Sequence, residues 1–142
     1  MRSAVVTEVI DPRSLIAEVS DPANGATTIF LGTVRSSNDG REVTGIEYSA
    51  YDSMAEAEMQ RILDEAGVRF GVRTVAIEHR IGTLGIGDLS IAVAVASPHR
   101  RSAMDALHYI VEETKARAPI WKLEHYVDGT REWVGASVTA SR

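Results

Sequence analysis

Two lysines stand out for the chemistry they could do. Of the 15 basic residues 13 are arginine, and only Lys115 and Lys122 are lysine, both within one eight-residue stretch. A guanidinium stays charged at any working pH, whereas an ammonium is compact and can release its proton, so a position that needs an acid, base or nucleophile takes lysine. Two ammoniums a few ångströms apart, with Arg100 close by, lower each other's proton affinity, because like charges disfavour the charged form. Lysines set in this way act in proton transfer or nucleophilic attack near neutral pH. Simpler explanations stand beside this one. Lys115 falls in the last turn of a predicted helix, where it complements the dipole, and Lys122 lies on a predicted strand, where a lysine is often a solvated edge charge.

A second group points to an anion. In Ser97-Pro98-His99-Arg100-Arg101 the serine is placed to cap a helix and the proline to occupy its first turn. Arginines at the positive end of a helix dipole are unfavourable unless something negative binds there, and the free N–H groups of the first turn would face the same anion. His99 and Arg100 are therefore candidate anion contacts. Arg35 is a third, because it ends the apolar run Ile29–Val34 just before a polar stretch and could grip a phosphate with both arms of its fork. The competing explanation for each arginine is an ion pair with a nearby carboxylate.

Other chemistries are excluded or weakly signalled. The chain has no cysteine, which removes disulfides, thiolate metal sites and a cysteine nucleophile. The histidines at 79, 99, 108 and 125 show no metal-ligand spacing. Gly82-Thr83-Leu84-Gly85-Ile86-Gly87 lies between two strands and opens no helix, so it is expected to be a turn and not a phosphate loop. There is no Gly-x-Ser-x-Gly elbow, and no serine, histidine and acid arrangement for acyl transfer. His79 is expected to be a hydrogen-bonded core histidine, and Tyr48, Tyr51, Met54 and Met104 packing residues. A net charge of −5 argues against a broad nucleic-acid or membrane-surface face. No apolar run approaches the length of a bilayer span and no leader pattern opens the chain, so a cytoplasmic location is expected.

The elements that must position these residues follow from periodicity. With 142 residues, 44% of them hydrophobic, one domain spanning 1–142 is expected. Strands are predicted over Ala4–Val9, Ala26–Val34, Val43–Tyr51, Thr74–Ile81, Leu89–Val95 and Ile120–Val127, the last returning through Trp133 and Val134 after a turn at Asp128-Gly129. Ser36–Arg41 is predicted to be a mobile loop. Asp11-Pro12 starts a short helix. Asp52 or Ser53 caps a second, with Met59, Ile62, Leu63, Ala66 and Phe70 on its buried face, ending near Gly67 or Gly71. The third runs from Arg100 to Arg117, with Pro119 as its stop. Leu89–Val95 has a small-residue face, Ser90, Ala92 and Ala94, that lets a neighbour approach closely. Strands and helices mix without a regular repeat, which places the chain in the α+β class, a mixed or antiparallel sheet with flanking helices.

Five motifs in this order, Phe30–Arg35, Glu47–Tyr51 with Met54-Ala55, His79–Gly82, Ser97–Arg100 and Pro119–Lys122, together resemble the large, catalytic subunit of molybdopterin synthase, over about residues 25–134. The resemblance implies an α/β hammerhead fold and a homodimer that forms the core of a heterotetramer. It also implies a small ubiquitin-like sulfur-carrier partner ending in Gly-Gly, whose thiocarboxylate tail enters the pocket. The substrate would be the pterin precursor Z, cyclic pyranopterin monophosphate, converted to the molybdopterin dithiolene with no resident cofactor and no metal. Lys115 and Lys122 match the family's catalytic pair, and Arg35, His99 and Arg100 its substrate contacts. The chain departs from the family pattern at Ser49 and Leu123, and its C-terminal segment carries no basic residue before Arg142. The alternative is a non-catalytic module that binds a phosphorylated ligand or a partner's tail.

Overall fold

The computed structural model describes residues 1–135. Its order is β1 (Arg2–Val6), α1 (Pro12–Glu18), β2 (Ala26–Thr33), β3 (Ser37–Asn38), β4 (Arg41–Ala50), α2 (Asp52–Phe70), β5 (Thr74–Arg80), β6 (Gly82–Gly85), β7 (Leu89–Ser97), α3 (Arg100–Arg117), β8 (Ile120–Tyr126) and β9 (Arg131–Gly135). The α+β class and the predicted helices are as expected.

Two sheets form. The first has the order β1-β5-β7-β2, with β1 parallel to β5 and the other pairs antiparallel. Alternation along β5 and β7 gives it two different faces. Ile77, Val93 and Val95 meet α2 and α3 in the main core, which also takes Met59, Ile62, Leu63, Ala106 and Ile110. The small face, Ala76, Ala92, Ala94 and Ala96, admits the short helix α1 through Leu15 and Val19. Asp11 caps α1 by accepting from the Arg13 N–H, with Pro12 in its first turn.

The second sheet is antiparallel, in the order β3-β4-β8-β9. Strand β8 runs along one edge of β4, so β3 and β6 share the other. This corrects two expectations. Gly82–Gly85 is a strand, because the free edge of β4 takes its backbone groups, and Gly45 allows the close approach: a Cβ there would lie 3.0 Å from the Leu84 carbonyl. Ser36–Arg41 is a hairpin closed by Asp39 and Gly40, both at positive φ, and not a free loop.

Tyr51, Met54 and Met104, expected to pack, are largely exposed. Tyr51 precedes α2 and Met54 lies in its first turn, while Met104 lies off the face of α3 that carries Ala103, Ala106 and Ile110. Asp52 and Ser53 do not cap α2 either. Tyr51 holds the cap position without a side-chain bond, and Gly71 ends the helix in the left-handed conformation.

His79 is the core histidine the pattern predicts. Its Nδ1–H donates to the Arg80 carbonyl at 2.9 Å, and its ring meets Tyr48 of the second sheet edge-on at 4.9 Å. Burial lowers its pKa from 6.5 to about 4. Between those values the unfolded chain takes up a proton that the folded chain refuses. The neutral-His contribution is therefore complete above pH 6.5 and lost as the pH falls toward 4, on the order of 3 kcal/mol in all. Urea unfolding from pH 7.5 to 4 should show this loss, and His79→Leu should flatten that part of the profile.

Candidate functional site

Lys115 and Lys122 flank one corner. Lys115 is exposed in the last turn of α3, beside buried Thr114, and Lys122 is the third residue of β8. The corner between them is tight: the Ala118 N–H donates to the Thr114 carbonyl and the Ile120 N–H to that of Ala118. The Tyr51 N–H then donates to the Pro119 carbonyl, tying this corner to the one between β4 and α2. Arg117, two residues past Lys115, pins the end of α3 to α2. Its guanidinium lies 2.6 Å from Glu58, 2.7 Å from Glu65 and 3.1 Å from Glu113. Glu65, which also accepts from the Tyr109 hydroxyl, has its pKa lowered to about 2, chiefly by Arg117.

Lys122 is fixed on both sides, opposite Tyr48 of β4 and Val134 of β9. As alternation predicts, it shares a face of β8 with Glu124. That carboxylate is only 3% exposed. Its Oε2 lies 3.7 Å from the Lys122 Nζ, an ion pair rather than a hydrogen bond. Its Oε1 accepts from Asn38 Nδ2 at 2.7 Å and from the Tyr126 hydroxyl at 2.8 Å. The bond to Glu124 raises the Tyr126 pKa. Asn38 belongs to the segment that begins at Arg35, so the structure brings that segment to Glu124, the carboxylate beside Lys122. Arg35 itself is exposed.

His99 and Arg100 are placed differently from the expectation. Arg100 opens α3, and Lys115 follows fifteen residues later on the same helix, roughly 22 Å along its axis. Within one chain Arg100 is therefore not close to Lys115. Ser97 is not the cap: it is still paired in β7, and its buried hydroxyl meets that of Ser102 at 2.6 Å. His99 takes the cap position without a side-chain bond, and Pro98 lies outside the helix. Gly25 permits this corner, since a Cβ there would come within 2.8 Å of the Pro98 carbonyl. Among the described residues neither Arg100 nor Arg101 is paired with a carboxylate, which removes the ion-pair explanation for them.

Sequence reasoning missed Asn38 and Tyr126. Glu124 was marked only by sharing the face of Lys122, and Asn38 meets it from 86 positions away. Among the described residues no cluster of three acidic or histidine side chains is arranged to hold a metal, and no helix is long and apolar enough to cross a membrane. The departure noted for the C-terminal segment falls at 136–142, outside the described residues.

Comparison with known proteins agrees with this architecture. The family model described as MoaE protein matches residues 5–117. A molybdopterin synthase catalytic subunit from Thermoplasma volcanium is 40% identical over 124 residues, covering 87% of this chain and 90% of that protein. The crystal structure of molybdopterin synthase from Staphylococcus aureus superposes with a TM-score of 0.88 at 36% identity, covering 93% of this chain and 96% of the other. A complex of subunits 1 and 2 of the molybdopterin-converting factor from Helicobacter pylori shares the fold at 22% identity, with a TM-score of 0.75, covering 95% of this chain and 90% of that one.

Removing the buried acceptor tests the description of the Lys122 environment. Glu124→Ala leaves the Asn38 amide and the Tyr126 hydroxyl without their partner and should cost about 1–3 kcal/mol in urea unfolding.

Proposed function

We propose a function from one premise: the chain belongs to the MoaE protein family. It is an enzyme subunit of molybdenum cofactor biosynthesis, with the role its relatives' name describes, the catalytic subunit of molybdopterin synthase. In this role it catalyses the transfer of sulfur from the thiocarboxylated Gly-Gly tail of a small ubiquitin-like partner to precursor Z, one sulfur from each of two tails, each tail leaving as a carboxylate, to make the dithiolene. Both the tail and the pterin are substrates, so no resident cofactor is assigned. The setting is the cytoplasm.

The observation that carries this assignment is the corner itself. The chain's only two lysines stand on either side of it, and one of them is backed by a buried carboxylate. Sulfur transfer from an acyl carbon creates and discharges negative charge, and ammoniums at this place neutralise it and exchange protons with the reacting atoms. Glu124 restrains Lys122 so that its ammonium stays at the corner. Arg35, on the segment that reaches Glu124, contacts the substrate's phosphate or pterin.

His99 and Arg100 need another explanation, because roughly 22 Å of helix separates Arg100 from Lys115. A homodimer answers it: the start of α3 in one copy supplies the anion contacts for the lysine corner of the other. Among the described residues Arg100 is exposed and has no carboxylate partner, which supports this arrangement.

With thiocarboxylated partner and precursor Z supplied, the unmodified chain should form molybdopterin. Lys115→Ala and Lys122→Arg should each lower the rate by about 100-fold or more while remaining folded. Full activity in both variants would remove the lysines from the mechanism. A binding module would form no dithiolene at all. The shared arrangement has its own test: mixing Arg100→Ala chains with Lys122→Ala chains should restore activity that neither has alone, whereas a site built within one chain gives no recovery.

A further inference from the structure

The hairpin after Arg35 grips Glu124 from two directions. Asn38, in β3, donates to its Oε1 at 2.7 Å. Arg41, which opens β4, lays its guanidinium over the Tyr126 ring, 3.5 Å from the centroid, and Tyr126 donates to the same Oε1 at 2.8 Å. Arg41 is held in turn by Glu132 at 3.0 Å and by the Thr130 hydroxyl at 2.6 Å. Both strong donors thus converge on one carboxylate oxygen. The other, Oε2, is left facing Lys122 at 3.7 Å.

The terminal torsion of a glutamate is broad and roughly two-fold, so little in the side chain itself decides which oxygen points where. Donors fixed on one oxygen settle the matter. Tyr126 lies two residues along the same strand as Glu124 and moves with it. Asn38 comes from a different strand and is the contact that joins Glu124 to the Arg35 segment.

We propose that Asn38 is a positioning residue for Lys122: by holding Oε1 of Glu124 it keeps Oε2 turned toward the ammonium, and so couples the segment bearing Arg35 to the lysine on β8. It touches no reacting atom. Its effect passes entirely through Glu124, so it vanishes when that carboxylate is removed. Only the kinetic part of the test rests on the proposed function.

The rarity of lysine makes the coupling visible. Reductive methylation with 13C-formaldehyde labels two lysines and the amino terminus, and Lys122→Arg assigns the Lys122 signal. Asn38→Ala should displace the Lys122 resonance and leave that of Lys115 in place. Asn38→Asp, nearly the same size and kept in case the alanine variant does not fold, should do the same by setting a second carboxylate against Glu124. In a Glu124→Met background, which has no oxygen for Asn38 to hold, Asn38→Ala should cause no further displacement. A Lys122 signal unmoved by either substitution overturns the proposal, as does an equal displacement in the Glu124→Met background.

In the synthase assay Asn38→Ala should lower kcat by about tenfold with KM for the precursor changed by less than about twofold, the pattern of an interaction expressed in the transition state. An unchanged kcat also overturns it. Should the unmodified chain form no molybdopterin, the proposed function fails while the resonance test still decides the role of Asn38.

Discussion

A carboxylate removed from water must be given partners, and Glu124 is almost completely buried in the second sheet. That requirement organises what lies around it. Three different groups answer it: the Asn38 amide, the Tyr126 hydroxyl and, at a longer distance, the Lys122 ammonium. Each is thereby fixed as well. The hairpin is drawn onto the sheet, Tyr126 is held beneath Arg41, and Lys122 acquires a counter-charge on its protein side while remaining 32% exposed on the other. The half-buried pair is itself a weak source of stability, and the bonds that Glu124 makes to Asn38 and Tyr126 are what fix the arrangement of these side chains.

The first sheet has a different task. Its two faces are closed by helices, and through α3 it carries both the His99–Arg100 end and the start of the lysine corner. The bond from the Tyr51 N–H to the Pro119 carbonyl ties together the corners where β4 turns into α2 and α3 turns into β8, so the two helices packed on the first sheet leave from neighbouring strands of the second. Arg117 and its three carboxylates are partly exposed, so their value is more geometric than energetic. They hold the last turn of α3 against α2, and Lys115 with it.

Much of this was readable from the chain alone, for identifiable reasons. The apolar positions of α2 and α3 recur at helical spacing, and the alanines of β7 alternate with large residues, so the packed faces were evident. Lys115 and Lys122 were evident because lysine is rare here, and the order of five motifs pointed to the family. What escaped was set by contacts distant in sequence. Gly82–Gly85 looks like a turn until β4 offers an edge, Ser36–Arg41 looks free until Glu124 attracts Asn38, and Ser97 looks like a cap until β2 claims its backbone. The distance from Arg100 to Lys115 follows from the constant rise of a helix over fifteen residues and is written in the spacing of the two residues.

That constant rise also bears on how this fold can vary. Helix α3 acts as a rigid spacer between two chemically different ends, and its length and its winding are locked together. One residue added between His99 and Lys115 would shift one end by 1.5 Å and rotate it by about 100° against the other, turning Lys115 off its corner even if every side chain were kept. Substitutions on the outer side of this helix are cheap by comparison. Divergence in this family should therefore rewrite the exposed letters of α3 freely while leaving its number of residues alone.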